Sequence, residues 1–215
     1  MKIKSSFYSG ANVNQIARDL IGKVLFSRFD RKLTGGIITE TEAYAGETDK
    51  ASHAYGGRRT ERTEVMYGKS GIAYVYLCYG VHSLFNVVTN RSGIPHAVLI
   101  RALYPVIGID VMFDRRNLVP GHIGDVCKGP GKLSKALGIH YTHTGKSLTG
   151  DEIWIEDLKI PIHKSIIKTG PRVGVDYAGE DSLLPYRYLV DYKDLLEILQ
   201  SDEVNQDFSF FFTES

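Results

Sequence analysis

"IAYVYLCYGVHSLFNVVTN", Ile72 to Asn90, decides how the chain folds. Two β-rich runs, "IAYVYLCY" and "SLFNVVTN", flank a short "GVH" connection. That is a β-hairpin with Tyr79 near its tip. A hairpin commits its sheet to antiparallel pairing. Downstream, "RSGIP" turns the chain into a further strand, "HAVLIRALYP". Upstream, "KVLFSRF" and "IITETEAY" read as strands joined by a turn over "DRKLTGG". Helices cover the outside. "NVNQIARDLIGK" carries the apolar stripe Val13, Ile16, Ala17, Leu20 and Ile21, with Asn12 able to cap its start and Gly22 its end. A second helix is expected after Pro105 through "VIGIDVMFDRR", and "GPGKLSKALGI" reads as a Gly-rich loop opening another. "EIWIED" and the region around "RVGVDY" read as short strands, and "DYKDLLEIL" as a closing helix. The expectation is an α+β fold: a single compact domain over residues 1–215, with a mostly antiparallel curved sheet, peripheral helices and a projecting β-hairpin.

Composition agrees with one ordinary globular domain. Apolar residues make up 43% and charged residues 24% of 215 residues, enough for a core and too apolar for disorder. Cys78 and Cys127 make no disulfide framework, so both are expected reduced in a cytoplasmic protein. "MKIKSSFYSG" has no apolar h-region, and charge interrupts every apolar run short of a bilayer span, so no membrane partner is expected. The net charge of +1 hides an asymmetry. From about Asp191 an acidic helix and tail carry seven acidic residues and one lysine, which leaves the body strongly basic. A basic body is compatible with nucleic-acid binding.

Several side chains stand out against this frame. Strand alternation puts Ile38, Glu40, Glu42 and Tyr44 on one face. That face is either half-solvated or part of a pocket. The strand runs into a polar, basic loop, residues 45–71, and loops of that length are usually functional. On the hairpin, Tyr74 and Tyr76 share a face, and Tyr79 and His82 flank Gly80. A large aromatic at an exposed tip needs a contact, and a wedge between stacked bases is one use for it. Asn86 within "SLFNVVT" either ties backbone together or lines a pocket. Arg101 within "AVLIRAL" needs a carboxylate, a phosphate or solvent. Basic groups gather at Arg58, Arg59 and Arg62, at Arg115 and Arg116, and at Lys128, Lys132 and Lys135. His140 and His143 have neighbouring spacing but no Cys or acidic cluster beside them, so no metal site is expected. No GxSxG, CxxC or GxGxxG stands in a supporting context.

"ETEAYAG", "ASHAYGGRRTERT", "VMYGKSGIAYVYLCYGVHSLFNVVT", "AVLIRALYP", "GPGKLSKALGI" and "RVGVDYAGE" follow one another in order and approximate spacing. In this the chain resembles the alkylpurine (3-methyladenine) DNA glycosylases from about Gly10 to about Val190. The resemblance implies a monofunctional glycosylase of base excision repair. Such an enzyme acts on double-stranded DNA containing damaged purines, as a monomer and without a cofactor. It would work at the nucleoid in a bacterium or in the nucleus of a eukaryote. It implies a compact α+β domain whose hairpin enters the minor groove. It assigns Glu42 as general base and Arg101 as an active-site arginine near the target phosphate. It assigns Tyr44 and His53 to stacking on, and hydrogen bonding to, the flipped base, Tyr76 to the opposite stacking face, and Asn86 to rejection of guanine. Tyr79 would fill the gap left by the flipped nucleotide, with Val81 and His82 beside it and Arg58, Arg59 and Lys132 on the DNA. The chain departs where the family often has Arg-Asn in place of Arg62-Thr63, and residues 140–170 match poorly.

These residue types suit the implied reaction. Departure of an alkylated purine leaves oxocarbenium character on the sugar, and a carboxylate can stabilise it and take a proton from water. Expected substrates are 3-methyladenine and 7-methylguanine, with hypoxanthine and ethenoadenine as further candidates. A neutral lesion needs a proton from a second acid, which the sequence does not name. Base extrusion costs least for damaged or mispaired bases and adds discrimination. No lysine falls at a matching active-site position, so no Schiff-base lyase step is expected. Two other classes remain open: a non-catalytic binding module for damaged DNA or RNA, and a hydrolase of free nucleosides.

Overall fold

The computed structural model describes residues 1–201. The acidic tail beyond Ser201 lies outside the described residues. Within them the strands are β1 (Val24–Phe29), β2 (Lys32–Tyr44), β3 (Ala73–Cys78), β4 (His82–Thr89), β5 (His96–Ile107), β6 (Ile153–Glu156), β7 (Lys168–Gly170) and β8 (Arg187–Leu189). The α-helices are α1 (Ser5–Tyr8), α2 (Val13–Leu20), α3 (Ile109–Arg116), α4 (Pro130–Leu137) and α5 (Tyr192–Leu199). The expected α+β domain with an antiparallel sheet and a projecting hairpin is what is found.

All eight strands join one sheet in the order β3-β4-β5-β2-β1-β6, with β8 between β2 and β7. Every pairing is antiparallel. The long β2 organises it. Its first half pairs with β1 and its second half, Glu40 to Glu42, with β8, while β5 runs along its other edge. Three register shifts interrupt the β2–β5 ladder, and bulges of this kind bend a strand and raise its twist. Gly36 sits at the first shift. A Cβ there would lie 2.8 Å from the Tyr104 carbonyl oxygen, so only glycine allows the strands to approach this closely. The sheet curls into a half-barrel.

Local chemistry explains the elements. Asn12 caps α2, its Oδ1 accepting from Gln15 N at 3.0 Å, and Val13, Ile16, Ala17 and Leu20 are buried as the stripe predicts. α4 opens with Pro130 after Gly129 and ends at Gly138 with φ +67°, the usual proline-in, glycine-out arrangement. At the hairpin, Cys78 pairs with His82 across a loop in which Tyr79 (φ +51°) and Gly80 (φ +69°) are left-handed. Tyr79 is 95% exposed.

Three expectations need correction. The turn read over "DRKLTGG" is only Asp30-Arg31, both left-handed, and β2 already begins at Lys32. Two positive φ angles are what a two-residue hairpin requires. β5 continues past Pro105 to Ile107, so α3 begins only at Ile109. Proline is tolerated there because that edge of β5 is taken by β4 from His96 to Leu99 and by the Cys127–Gly129 segment at Arg101 to Leu103, leaving Pro105 beyond both and beside a bulge. "RVGVDY" is not a strand. Gly174 at φ +74° breaks the extended run, and a 3-10 segment follows over Asp176–Leu183. The strands nearby are β7 and β8.

The sheet has two differently furnished faces. One packs with α2, α3 and α4 into the main core, around Leu20, Leu25, Ile38, Phe85, Ile100, Leu103, Leu133 and Leu137. The other is covered by residues 45–71, folded as short 3-10 turns over a smaller cluster of Ala54, Met66, Tyr67, Tyr74, Val88 and Ala97.

Candidate active site

Strand alternation builds the site. On β3, Ala73 and Val75 join the main core, whereas Tyr74, Tyr76 and Cys78 line a cavity on the opposite face. On β4, Phe85 and Val87 go to the core and Leu84 and Asn86 to the cavity. On β5, Val98 and Ile100 go to the core and Ala97, Leu99 and Arg101 to the cavity. Tyr44 ends β2 on the same side. Ser52 and His53 from the long loop and Val173 to Val175 and Tyr177 from the late segment close the walls. The cavity measures about 220 Å³, and Tyr79 stands at its edge.

Glu42 does not line the cavity; it lies fully buried directly behind the lining residues Tyr44, Arg101 and Val173. Its Oε1 accepts from the Val173 backbone N–H at 2.7 Å and lies 3.3 Å from an Arg101 guanidinium nitrogen. Its Oε2 accepts from the Tyr44 hydroxyl at 2.8 Å. Burial raises the carboxyl above its ordinary range, while Arg101, the Val173 amide and the Tyr44 hydroxyl pull the other way. Glu40 shares the Glu42 face, but the face ends there, because the bulge at Thr39 turns Ile38 into the main core. Glu40 Oε1 takes Arg101 Nε at 2.8 Å and has Arg187 Nε at 2.8 Å. The charged partner that Arg101 needs is therefore this pair of carboxylates. Burial works against the Arg101 charge, but Glu42 and Glu40 outweigh it and hold the guanidinium protonated.

His53 has a defined tautomer. Arg62 lies 3.1 Å from Nε2 and can only donate, so Nε2 accepts and Nδ1–H donates to the Tyr74 hydroxyl at 2.8 Å. Burial and the nearby Arg62 and Arg58 push the imidazole down to about 4, so it is neutral at pH 7. Its ring meets Tyr76 edge-on at 4.7 Å, and the Arg62 guanidinium covers Tyr76 at 4.6 Å. Asn86 spends its amide hydrogens on the carbonyls of Tyr74 (3.1 Å) and Leu84 (3.2 Å), which leaves its carbonyl oxygen for the cavity. It thus both ties backbone and lines the pocket.

Arg101, Tyr44, His53, Tyr76 and Asn86 therefore converge on one cavity, with Glu42 held behind three of its lining residues. Tyr79, Val81 and His82 crown the hairpin beside it, Val81 being 74% exposed. Lys132 is exposed on the first turn of α4, whose neighbour Gly131 packs against His82, while Pro130 lines the cavity. Arg58 and Arg59 are exposed on the long loop, but Arg59 forks onto Glu64 at 2.6 Å and lies over Tyr67. Sequence reasoning gave no site role to Asp49, Arg172 or Val173. Arg172 and Asp49 form a buried bidentate pair, and Val173 acts through its backbone. The only signal for Arg172 and Val173 was the motif "RVGVDYAGE", and Asp49 lies in the long loop outside every quoted motif. His140 and His143 cap each other's turn, and His143 stacks on Phe29 at 4.2 Å. Among the described residues, no cluster of three or more His, Cys, Asp or Glu could hold a metal ion, and no helix is long and apolar enough to cross a membrane.

Comparison with known proteins gives the family. The family model described as methylpurine-DNA glycosylase (MPG) matches residues 6–194. A Chlamydia felis protein is 45% identical over 193 residues, covering 89% of this chain and 97% of its own length. A Bacillus cereus protein is 44% identical over 195 residues, covering 87% and 95%. Both carry the printed name "Putative 3-methyladenine DNA glycosylase". With nearly the whole domain matched and the cavity built by the matched segments, the chain belongs to the methylpurine-DNA glycosylase family.

Proposed function

We propose that the protein excises alkylated purines from duplex DNA by base flipping, with Glu42 directing water at the sugar C1′ atom. The family makes it a DNA glycosylase, a hydrolase of N-glycosyl bonds that binds DNA as substrate. The observation that carries the finer reading is the fully buried Glu42 carboxylate beneath a tyrosine-rich cavity whose edge bears an exposed tyrosine.

The cavity, at about 220 Å³, suits one flat heterocycle and not a base pair. Tyr44 and Tyr76 offer aromatic walls, which favour electron-poor, cationic rings such as 3-methyladenine and 7-methylguanine. The Asn86 carbonyl oxygen, the Asn86 position itself and the neutral His53 discriminate among bases inside. Glu42 has one acceptor position free on Oε2, since Tyr44 uses the other. A water there gives up its proton as the glycosidic bond breaks, and the carboxylate charge stabilises the oxocarbenium character of the sugar. A raised pKa makes Glu42 a stronger base than an exposed glutamate, provided the pH lies above it. Arg101 orients Glu42 and holds a nearby phosphate. Tyr79 and Val81 fill the space vacated by the base, as a wedge does in the minor groove. Arg58 and Lys132 meet the backbone.

The test is release of free base from methylated duplex DNA with no added metal ion or nucleotide. The expected products are 3-methyladenine and an intact strand carrying an abasic site. Release from free nucleosides at a comparable rate, or strand cleavage by the protein, would overturn the reading.

A further inference from the structure

We propose that Arg172, gripped by Asp49, is a positioning residue that fixes the Tyr44 ring and the Val173 amide, the two uncharged groups holding the Glu42 carboxylate. The inference rests on the reading of Glu42 as the base.

The Arg172 side chain is completely buried and Asp49 nearly so. Arg172 bonds Asp49 through both terminal nitrogens, at 2.5 and 2.9 Å. The same nitrogens donate to the carbonyls of Ala43 at 3.0 Å and Asp181 at 3.1 Å. Asp49 in turn accepts from the backbone N–H groups of Ala45 and Ala51, each at 2.9 Å. One ion pair thus ties the end of β2, the start of the long loop and the late segment together. Its guanidinium plane lies between the rings of Tyr44, at 4.9 Å, and Tyr186, at 5.2 Å. Tyr44 lines the cavity and Arg172 does not, so Arg172 supports the ring from behind. The next residue is Val173, whose N–H is bound to Glu42.

A stabilising role alone accounts poorly for this device. A buried ion pair often contributes no more than an apolar pair of the same shape. What the pair supplies is a planar fork at a fixed angle, which lysine cannot reproduce.

The groups facing Glu42 are Glu40 and Tyr44 on β2, Arg101 on β5, and Val173 with Arg172 behind it, while Arg187 on β8 meets Glu40. The Val173 amide and the Tyr44 hydroxyl both lower the Glu42 pKa, so relaxing them raises it. Arg172→Lys should therefore slow single-turnover base release at saturating enzyme by about ten- to a hundredfold, the range for a misplaced catalytic group. The acid limb of its pH–rate profile should move to higher pH. Affinity for duplex DNA carrying an abasic-site analogue should stay within about twofold, since the surface is untouched. A lower Tm with an unchanged rate and acid limb would make Arg172 merely structural and overturn the inference. Asp49→Glu keeps the charge pair while displacing the fork by one methylene, and the same readouts decide there if Arg172→Lys does not fold. Failure of the two readings is distinguishable. Wild-type protein that releases no base, or Glu42→Gln with full activity, sinks the assignment of Glu42. An active wild type with a Glu42-dependent acid limb, beside unaltered Arg172→Lys and Asp49→Glu, sinks the positioning role alone.

Discussion

Replacing Glu42 by glutamine separates chemistry from architecture, because the structure says what the amide keeps. Glutamine Oε1 can still accept from Val173 N–H, and its Nε2 can donate to the Tyr44 oxygen once that hydroxyl rotates. Arg101 loses one carboxylate but retains Glu40 at 2.8 Å. Hydrogen bonds to a charged group contribute roughly 1.5–3 kcal/mol and neutral ones roughly 0.5–1.5. That loss is offset by removal of a buried charge, so stability should change by no more than about 2 kcal/mol. Activity should fall far more. A general base contributes about 10²- to 10⁴-fold, which corresponds to roughly 3–5 kcal/mol of barrier. The assay is single-turnover release from methylated duplex DNA between pH 4 and 8, with Tm and DNA binding measured in parallel. In the wild type the rate should rise with pH through a midpoint above the ordinary glutamate value, because burial raises Glu42 and only its ionised form is a base. In Glu42→Gln that limb should vanish while damaged DNA is still bound. A variant within a few fold of wild type, or one that keeps the same acid limb, would refute Glu42 as the base.

Tyr79→Ala should slow release from paired lesions much more than from unpaired ones, with the melting temperature unmoved because the side chain is 95% exposed; equal slowing in both contexts would deny the wedge. His53 is pushed down to about 4 in the folded state, so between pH 6.5 and about 4 the unfolded chain binds the extra proton. Stability must therefore fall as pH drops through that window, by up to roughly 3 kcal/mol, and His53→Gln should lose that share of the slope in urea titrations at pH 7 and 4.5. Lys132→Ala should reduce the salt dependence of DNA binding by about one unit of slope without altering which lesion is preferred. Arg59→Ala should weaken binding less than Arg58→Ala, since Arg59 already forks onto Glu64; filter binding across a salt series ranks the two.

The parts of the fold that were legible in the sequence are those with a strong period or a fixed turn. The hairpin over Ile72–Asn90, the capped helix after Asn12 and the glycine-bounded α4 all declared themselves. The parts that were not depend on neighbours. Proline at 105 reads as a stop, yet it is harmless where the strand's other edge is unpaired. β8 is three residues long and exists because the second half of β2 offers a free edge. The site followed the same division. Tyr76, Asn86, Leu99 and Arg101 reach the cavity by simple alternation, so their strands foretold their company. Asp49 sits in "GETDK", which reads as solvated loop, and Arg172 in "PRVGV" looks equally exposed. Only the meeting of two distant segments makes them a buried pair, and no local signal encodes that. Val173 contributes a backbone N–H, for which the side chain carries no information at all.

Glu40 and Glu42 show how register assigns chemistry to residues of identical type. They face the same way and share one arginine, so neither alternation nor composition separates them. Their partners do. Across the bulges, Arg101 presents Nε to Glu40 at 2.8 Å and only a more distant nitrogen, at 3.3 Å, to Glu42. β8 then brings Arg187 to the Glu40 side, giving that carboxylate two guanidinium neighbours. Glu42, one step further along, has one guanidinium neighbour, Arg101, beside the neutral donors Val173 N–H and Tyr44 OH, and is fully enclosed. The charge of Glu40 is committed to two cations. Glu42 is desolvated, and burial pushes it towards protonation against the pull of Arg101. The difference arises because β8 ends its pairing with β2 by placing Arg187 opposite Glu42 in register while its side chain reaches back to Glu40. Moving that arginine's charge onto Glu42 would leave Glu40 with Arg101 alone and give Glu42 two cations, reversing the charge pairing of the two glutamates.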